Sequence, residues 1–462
     1  MIVIRIALRS LLRRRSRMLL IGLLVVFGTL LLVFGTTVTR SASITSRNSI
    51  IRNFTGDFIV YAARSREIPS PFAFNTPLPV VPNTQEVNAF LGAQPEVEAT
   101  VPFAQNYSLL SVASGTESVD VPFIFYAADP GAYFRTFENV RIVEGKPLTG
   151  GPGILISRYQ NDHYQKRYGV RLSVGDQVTA LGLSGGGGVN ALRVTVRGIF
   201  EPVYYANVFN YINFMDAASY SQLFNFTGVS GGLPPGLEKG LAAASESEEG
   251  IFNLAGTSIG SIDTAKLKAE AVSGYTMIAV RLKDHAAMET VRARLAAQGW
   301  PVKTARWDQA SSFFANVASA VQAFIYFATA LVFLVVTFIF MNTLVINIIE
   351  RTGEIGTMRA LGAERSFIRS VFLTETLLLN VAACIIGMIA SLALVLAGRT
   401  TGIPLPETVS QYLVGGGPLP VVPSIGPFIT ALLVVVAVSI LATLLPIRVA
   451  TRITPLAAMN DR

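Results

Sequence analysis

Residues 350–375 read ERTGEIGTMRALGAERSFIRSVFLTE, a dense run of charge between apolar stretches at 318–349 and 376–397. Arg351, Arg359, Arg365 and Arg369 are interspersed with Glu350, Glu354, Glu364 and Glu375, inside the run or at its edges. A short charged segment between two membrane spans has to face water, and Arg-rich short loops face the cytoplasm. This is the one place where the membrane part of the chain can touch a cytoplasmic partner. Other chemistry-bearing residue types are sparse. Cys384 is the single cysteine and lies in an apolar stretch, so neither an intrachain disulfide nor a Cys-based metal site is available. His163 and His285 are far apart and show no HExxH spacing. Gly182-Leu183-Ser184-Gly185-Gly186 matches G-x-S-x-G formally. A nucleophile elbow needs a strand–turn–helix setting and a histidine, and the residues that follow here read as a strand. Gly145-Lys146-Pro147 lacks both the upstream glycine and the hydroxyl of a phosphate-binding loop. We expect no catalytic site, no metal and no cofactor in this chain.

The elements that position the charged run follow from composition. Of 462 residues, 51% are hydrophobic and 14% charged, against roughly 25% charged in a soluble domain; part of the chain therefore lives in lipid. The net charge of +8 resides largely in arginines beside apolar stretches. Orientation in a membrane accounts for that, and nucleic-acid binding is not expected. Segment 1–17, with Arg5, Arg9 and Arg13 at i, i+4, reads either as a basic amphipathic helix on an anionic membrane surface or as a cytoplasmic flank that sets orientation. The first span covers 18–38, longer than the apolar core of a cleavable signal peptide. The second covers 318–349 with a stalk extension from about 311, since 311–349 contains no proline or glycine. At ~1.5 Å per residue that helix exceeds the bilayer thickness by more than a third. The cytoplasmic loop 350–369 follows, then a third span at 370–397 with Ala383, Gly387 and Ser391 on one close-packing face. An extracytoplasmic loop at 398–427, a fourth span at 428–447 and a cytoplasmic C-terminus at 448–462 complete the order. Arg13, Arg14, Arg15, Arg17, Arg448 and Arg452 agree with this orientation. The fold class is a multi-pass α-helical membrane protein with four transmembrane helices and a large α+β extracytoplasmic domain between helices 1 and 2.

That domain occupies 39–317. Its two ends resemble each other: strand Phe58–Ala62, helix Thr84–Gly92 and a strand pair over Glu98–Val112 near the start, then strand Tyr275–Leu282, helix Asp284–Gln298 and strand Val302–Trp307 near the end. Two β-α-β units bracketing a centre predict a split α/β subdomain. The centre is a β-rich insertion, with strands over Val121–Tyr126, Gly153–Ser157, Gln177–Leu181, Leu192–Phe200 and Tyr211–Met215, and a hairpin turn at Gly182–Gly188. Residues 228–274, rich in Gly, Ser, Ala and Glu, read as a long loop. Phe123, Phe125, Tyr204, Tyr205 and Phe209 either pack the core or offer apolar surface to a lipid-like substrate.

No phosphate-cradling loop occurs in the chain, and the spans show no ionisable residue at mid-depth. Energy for any transport work would have to enter through 350–369. At this point the residues resemble a known family. Asn342-Thr343-Leu344, Glu350-Arg351, Glu354-Ile355-Gly356, Arg359-Ala360-Leu361-Gly362-Ala363, Ile368 and Glu375 resemble the FtsX-like permease signature. The family includes MacB-type macrolide exporters and LolC/LolE-type lipoprotein-releasing subunits of ABC transporters. Segment 145–200, Pro446, Ala450 and Pro455-Leu456 are similar to it as well. The resemblance implies that a separate cytoplasmic ATPase subunit, which binds the ATP and magnesium, docks on a coupling helix at about Glu350–Gly362. The implied contacts are Glu350, Arg351, Gly353, Glu354, Ile355, Gly356, Arg359, Ala360, Leu361 and Gly362. It also implies a second permease subunit (homo- or heterodimer), a surrounding lipid membrane, and a periplasmic carrier or adaptor. The place would be the inner membrane with both termini cytoplasmic. The work would be lipoprotein release or export of peptides, drugs or lipids. The alternative is a membrane regulator that passes ATPase motion to a periplasmic partner such as a cell-wall hydrolase.

Overall fold

The computed structural model describes residues 15–72, 78–114, 117–148, 152–183, 189–230, 268–271, 274–350 and 352–452. The basic segment 1–14, residues 184–188 of the expected turn, most of 228–274 and residues 453–462 lie outside them. Two compact units emerge. One, helical, runs up to Ile44 and takes in Val317–Leu405 and the chain from Pro418; the other, α/β, takes in Thr45–Asn316 and Pro406–Gly417.

The first element, α1 (Arg15–Ile50), continues well past the apolar stretch that starts it. Residues 39–50 contain no proline or glycine, and hydroxyls bond back along the helix, as Thr37 does to the Val33 carbonyl (2.6 Å) and Ser41 to that of Thr37 (2.7 Å). Such back-bonding keeps polar side chains compatible with a helix that has no water to bond. One π-helical turn, Ile51–Thr55, ends it.

The α/β unit begins with β1 (Phe58–Ala62), α2 (Thr84–Gly92), β2 (Val97–Ser114) and β3 (Glu117–Ala128). Next come α3 (Pro130–Thr136), β4 (Val140–Gly145), β5 (Gly153–Ser157) and α4 (Arg158–Tyr168). β6 (Gln177–Leu183), β7 (Val189–Pro202), α5 (Ala206–Phe209), β8 (Asn213–Asp216) and α6 (Ala217–Phe224) follow. A two-stranded pair, β9 (Thr227–Ser230) and β10 (Lys268–Ala271), flanks the residues not described. The domain closes with β11 (Met277–Leu282), α7 (Met288–Ala296), β12 (Val302–Arg306) and α8 (Trp307–Ala310). Ten strands form one sheet in the order β12-β1-β11-β2-β3-β8-β5-β7-β4, with β6 pairing β2 and β7.

The two look-alike ends of the domain meet in this sheet. β1 pairs antiparallel with both β11 and β12, and β11 pairs with β2, so the termini interleave into one half-sheet. α2 and α7 cover it through Val87, Leu91, Val291 and Leu295, each 1% exposed or less. The expected strand pair over Glu98–Val112 is instead the single strand β2. Its register with β3 is continuous from Phe103↔Ala128 to Ser114↔Glu117, so no turn interrupts it. It changes its second neighbour instead, from β11 at Val97–Phe103 to β6 at Leu109–Ser111. β6 and β7 pair antiparallel up to Leu183↔Val189. Ser184 of the G-x-S-x-G match lies outside the described residues; the described element that follows the match is strand β7. Phe123 and Phe125 pack one core cluster and Tyr205 and Phe209 another, each 1% exposed or less, while Tyr204 is partly buried against the second. Burying each such ring contributes about 2–3 kcal/mol.

The helical unit comprises most of α1 and of α9 (Ser312–Glu350), then α10 (Thr352–Ala360), α11 (Arg365–Thr401) and α13 (Gly426–Arg452). α1, α9, α11 and α13 are each long and apolar enough to cross a membrane. Small residues set their spacing. A Cβ on Gly387 of α11 would stand 2.8 Å from Thr29 Cβ and from the Val26 carbonyl oxygen of α1, so the two backbones approach at the Ala383–Gly387–Ser391 face. Asn380 of α11 donates to Ser439 Oγ of α13 (2.8 Å), one of the buried polar contacts inside the bundle. The connection between α11 and α13 falls in the expected extracytoplasmic loop 398–427. It carries α12 (Glu407–Leu413), and Pro406–Gly417 belongs to the α/β unit. The reason is a pair of hydrogen bonds: Tyr205 N–H donates to the Gly415 carbonyl (2.8 Å), and Ala206 N–H to Gln411 Oε1 (2.7 Å).

Candidate functional site

The charged run forms a short helix, α10, held between the end of α9 and the start of α11. Propensity alone does not hold it. Gly353 and Gly356 each cost about 1 kcal/mol relative to alanine in a helix interior, and nine residues are too few for an isolated helix. Packing supplies the difference. Ile355 is 1% exposed and sits against Ile348 of α9 and Ile368 and Phe372 of α11, with Met358 beside it. Burial of that side chain contributes roughly 2 kcal/mol.

Both ends are closed by hydrogen bonds. Thr352 Oγ1 donates to the Ile349 carbonyl (2.7 Å), covering a group that the end of α9 leaves without a helical partner. At the far end Ala363 N–H donates to the Met358 carbonyl (3.0 Å), the long bond of a Schellman closure. Gly362 supplies the left-handed residue this closure needs, at φ +92°. Glu364, extended at φ −70° and ψ 155°, is the N-cap residue of α11, and its carboxylate accepts from Ser366 Oγ (2.9 Å).

The expected contact residues divide by face. Gly353 and Leu361 are exposed and stand eight residues apart, with exposed Thr357 midway, so the three share one side of the helix. Leu361 is 84% exposed. Glu350, the last residue of α9, and Gly362 are also exposed. Ile355 and Gly356, expected to face a partner, are buried. Ile355, two residues from both Gly353 and Thr357, lies on the opposite side of the helix and anchors it instead of presenting it. Glu354, Arg359 and Ala360 occupy α10, and Arg351 lies outside the described residues. Thr357 was not among the expected contacts; its i, i+4 spacing to both Gly353 and Leu361 was the available signal. Glu375, read as an edge of the water-facing run, is 5% exposed inside α11. It is a full helical segment away from α10, and the third span has already begun there. Exposed Arg365 and Arg369 keep positive charge at the start of α11.

The arrangement is one for contact. A short helix is fixed from behind by an apolar plug and offers an apolar knob and a small-residue face. Such a knob gains when a partner's groove covers it. In the large domain, His285 Nδ1 and Asp57 Oδ1 form a hydrogen-bonded pair, and Asp57 also accepts from Leu282 N–H (2.8 Å). This pair ties β11 to the chain entering β1, a structural role.

Comparison with known proteins bears on both units. The model of the MacB-like periplasmic core domain matches residues 18–298, and that of the FtsX-like permease C-terminal region matches residues 326–455. Among curated proteins, the uncharacterized ABC transporter permease YvrN of Bacillus subtilis is 32% identical over 120 residues, 26% of this chain and 26% of that protein. The lipoprotein-releasing system transmembrane protein LolE of Haemophilus influenzae is 26% identical over 160 residues, 34% of this chain and 38% of that protein. The aligned segments thus span well under half of either relative. Among solved structures, the periplasmic region of MacB from Actinobacillus actinomycetemcomitans aligns at 11% identity with a TM-score of 0.30, covering 56% of this chain and 92% of that one.

Proposed function

The chain belongs to the family of ABC transporter permeases that join a MacB-like periplasmic core domain to an FtsX-like permease region, and from that premise we propose that it transmits the work of a separate ATPase to its large domain. The observation that carries the reading is α10. It is anchored by Ile355 and presents Leu361 at 84% exposure between two membrane-crossing helices. In this reading α10 is the coupling helix and faces the cytoplasm of a cell whose inner membrane the chain spans. Both termini lie on that same side. A second permease subunit completes the transporter.

The ATPase binds ATP and magnesium. In this reading the chemistry is the ATPase's, and the part of this chain is mechanical. Docking at Leu361 would couple ATPase closure to α9 and α11, because Ile355 packs on side chains of both. Movement of these helices then acts on the large domain and expels a substrate held there. The partial match to LolE favours a lipoprotein as cargo, delivered to a periplasmic carrier or adaptor.

Purification of the full chain with its co-expressed ATPase tests this. Co-purification, with ATP hydrolysis stimulated by the permease, is the expected result; an ATPase that does not co-purify refutes it. A cell-wall hydrolase retained in place of a lipid-modified protein would point to the regulatory alternative.

A further inference from the structure

Tyr205 is a tyrosine in the left-handed backbone region, at φ +53° and ψ +41°. The other non-glycine residues there, among those described, are Asn83 and Asn225, a type that tolerates the region several-fold better than tyrosine. Strain of this kind persists only where the surroundings over-determine it, and here they do. Tyr205 N–H donates to the Gly415 carbonyl (2.8 Å), and its own carbonyl accepts from Phe209 N–H (2.9 Å). Its ring is 1% exposed and lies 4.5 Å from that of Phe314 and 5.6 Å from that of Phe54, centroid to centroid. Its hydroxyl is 3.3 Å from Ser46 Oγ. A Cβ on Gly415 would stand 2.9 Å from the ring, so the fit on that side admits only glycine, itself at φ +87°. Burial pushes the phenol up to about 12, as expected of a ring with no access to water.

The partners come from separate parts of the chain. Ser46 lies in the last turns of α1, and Phe54 in the π-turn after it. Phe314 lies in the first turn of α9. Gly415, with Gln411 bonded to the next residue, lies in the connection between α11 and α13. All of them belong to the α/β unit. One side chain, in the connection from β7 to β8, therefore holds the ends of three chain segments that continue into membrane-crossing helices.

We propose that Tyr205 is a mechanical joint: a positioning residue that makes the α1 end, the α9 start and the α11–α13 connection move together with the β7–β8 connection. The proposal rests on the permease reading for its purpose but not for its test. A ring locked by three contacts and a strained backbone has one arrangement, so displacement of any partner must displace the others. Other ring contacts join these segments in pairs, Phe313 to Tyr412 and Phe72 to both Phe54 and Phe314, whereas Tyr205 touches all three.

Hydrogen exchange on the full chain in lipid nanodiscs decides this. Tyr205→Asn removes ring and hydroxyl but keeps a residue type that tolerates the backbone. Amides at 45–50, 312–316 and 407–416 should then exchange at least tenfold faster together, with β5 unchanged. Tyr205→Phe should keep protection at 312–316 and lose it several-fold at 45–50, because only the hydroxyl's contacts with Ser46 and Ser49 at the end of α1 are gone. Gly415→Ala, which crowds the ring without removing it, should reproduce the Tyr205→Asn pattern. Loosening confined to 203–209 overturns the joint, as does equal loosening of β5, which would make Tyr205 ordinary core. The ATPase should still co-purify with the Tyr205→Asn chain, since α10 is untouched. Its absence from wild type and variant alike would sink the permease reading and leave the joint to be judged by exchange.

Discussion

Replacing Leu361 by alanine separates a docking surface from a structural turn. Leucine to alanine removes three carbon groups, worth about 0.8 kcal/mol each when they are transferred from water to an apolar site. With 84% of Leu361 exposed, nearly all of that gain is still available to a partner. A groove that covers the side chain fully would lose about 2 kcal/mol on substitution, roughly a 30-fold weaker Kd. The fold itself should barely respond, because surface changes away from special geometry stay within about 0.5 kcal/mol. Ile355→Ala is the counterpart. At 1% exposure that substitution leaves a cavity behind α10 and should cost about 2–5 kcal/mol of stability. The assay measures the Kd of the nanodisc-embedded permease for its co-expressed ATPase by interferometry, with Tm followed on the same samples. Leu361→Ala should weaken binding at constant Tm, and Ile355→Ala should lower Tm. A Kd for Leu361→Ala within threefold of wild type, at unchanged Tm, would refute Leu361 as a contact. A Tm loss equal to that of Ile355→Ala would refute the division into an anchoring and a presenting face.

Three further outcomes follow from local geometry. Gly362→Ala puts a Cβ on a residue at φ +92° and should cost about 1–2 kcal/mol, read as faster amide exchange at Ala363. Asn139 is fully buried and donates to the Asn53 carbonyl (2.7 Å) and to Tyr133 Oη (2.9 Å), so Asn139→Ala should cost about 1–3 kcal/mol, visible as a lower Tm. Burial raises Tyr205, Tyr220 and Tyr275 to about 12. In the unfolded chain these phenols ionise near 10, so the unfolded state sheds protons first and stability falls as pH rises from about 10 towards 12. The denaturation midpoint should hold steady from about pH 7 to 9 and then drop, with the phenolate absorbance of these three residues appearing together with unfolding. Phenolate absorbance from these residues in a folded protein near pH 10 would contradict their burial.

The four spans are legible in the residues themselves, because a bilayer admits only helices long and apolar enough to satisfy their own backbone. Strands such as β5 read well for a related reason: a short apolar run bounded by glycine and polar residues has few other folds open to it. The likeness of the domain's two ends was legible too, and the pairing of β1 with β11 and β12 turns it into a half-sheet. Tertiary structure alone decided the rest. β2 looked like two strands because local pattern cannot show one strand exchanging a neighbour partway along. Segment 406–417 reads only as part of an extracytoplasmic loop because its partners, Tyr205 and Ala206, lie some two hundred residues earlier, and no local signal spans that distance. In α10 the sequence determines a short charged helix closed by Gly362, but not its rotation. Ile355 and Leu361 are both apolar and either suits a buried face. Ile348, Ile368 and Phe372, brought together from two other helices, turn Ile355 inward and leave Leu361 to the surface.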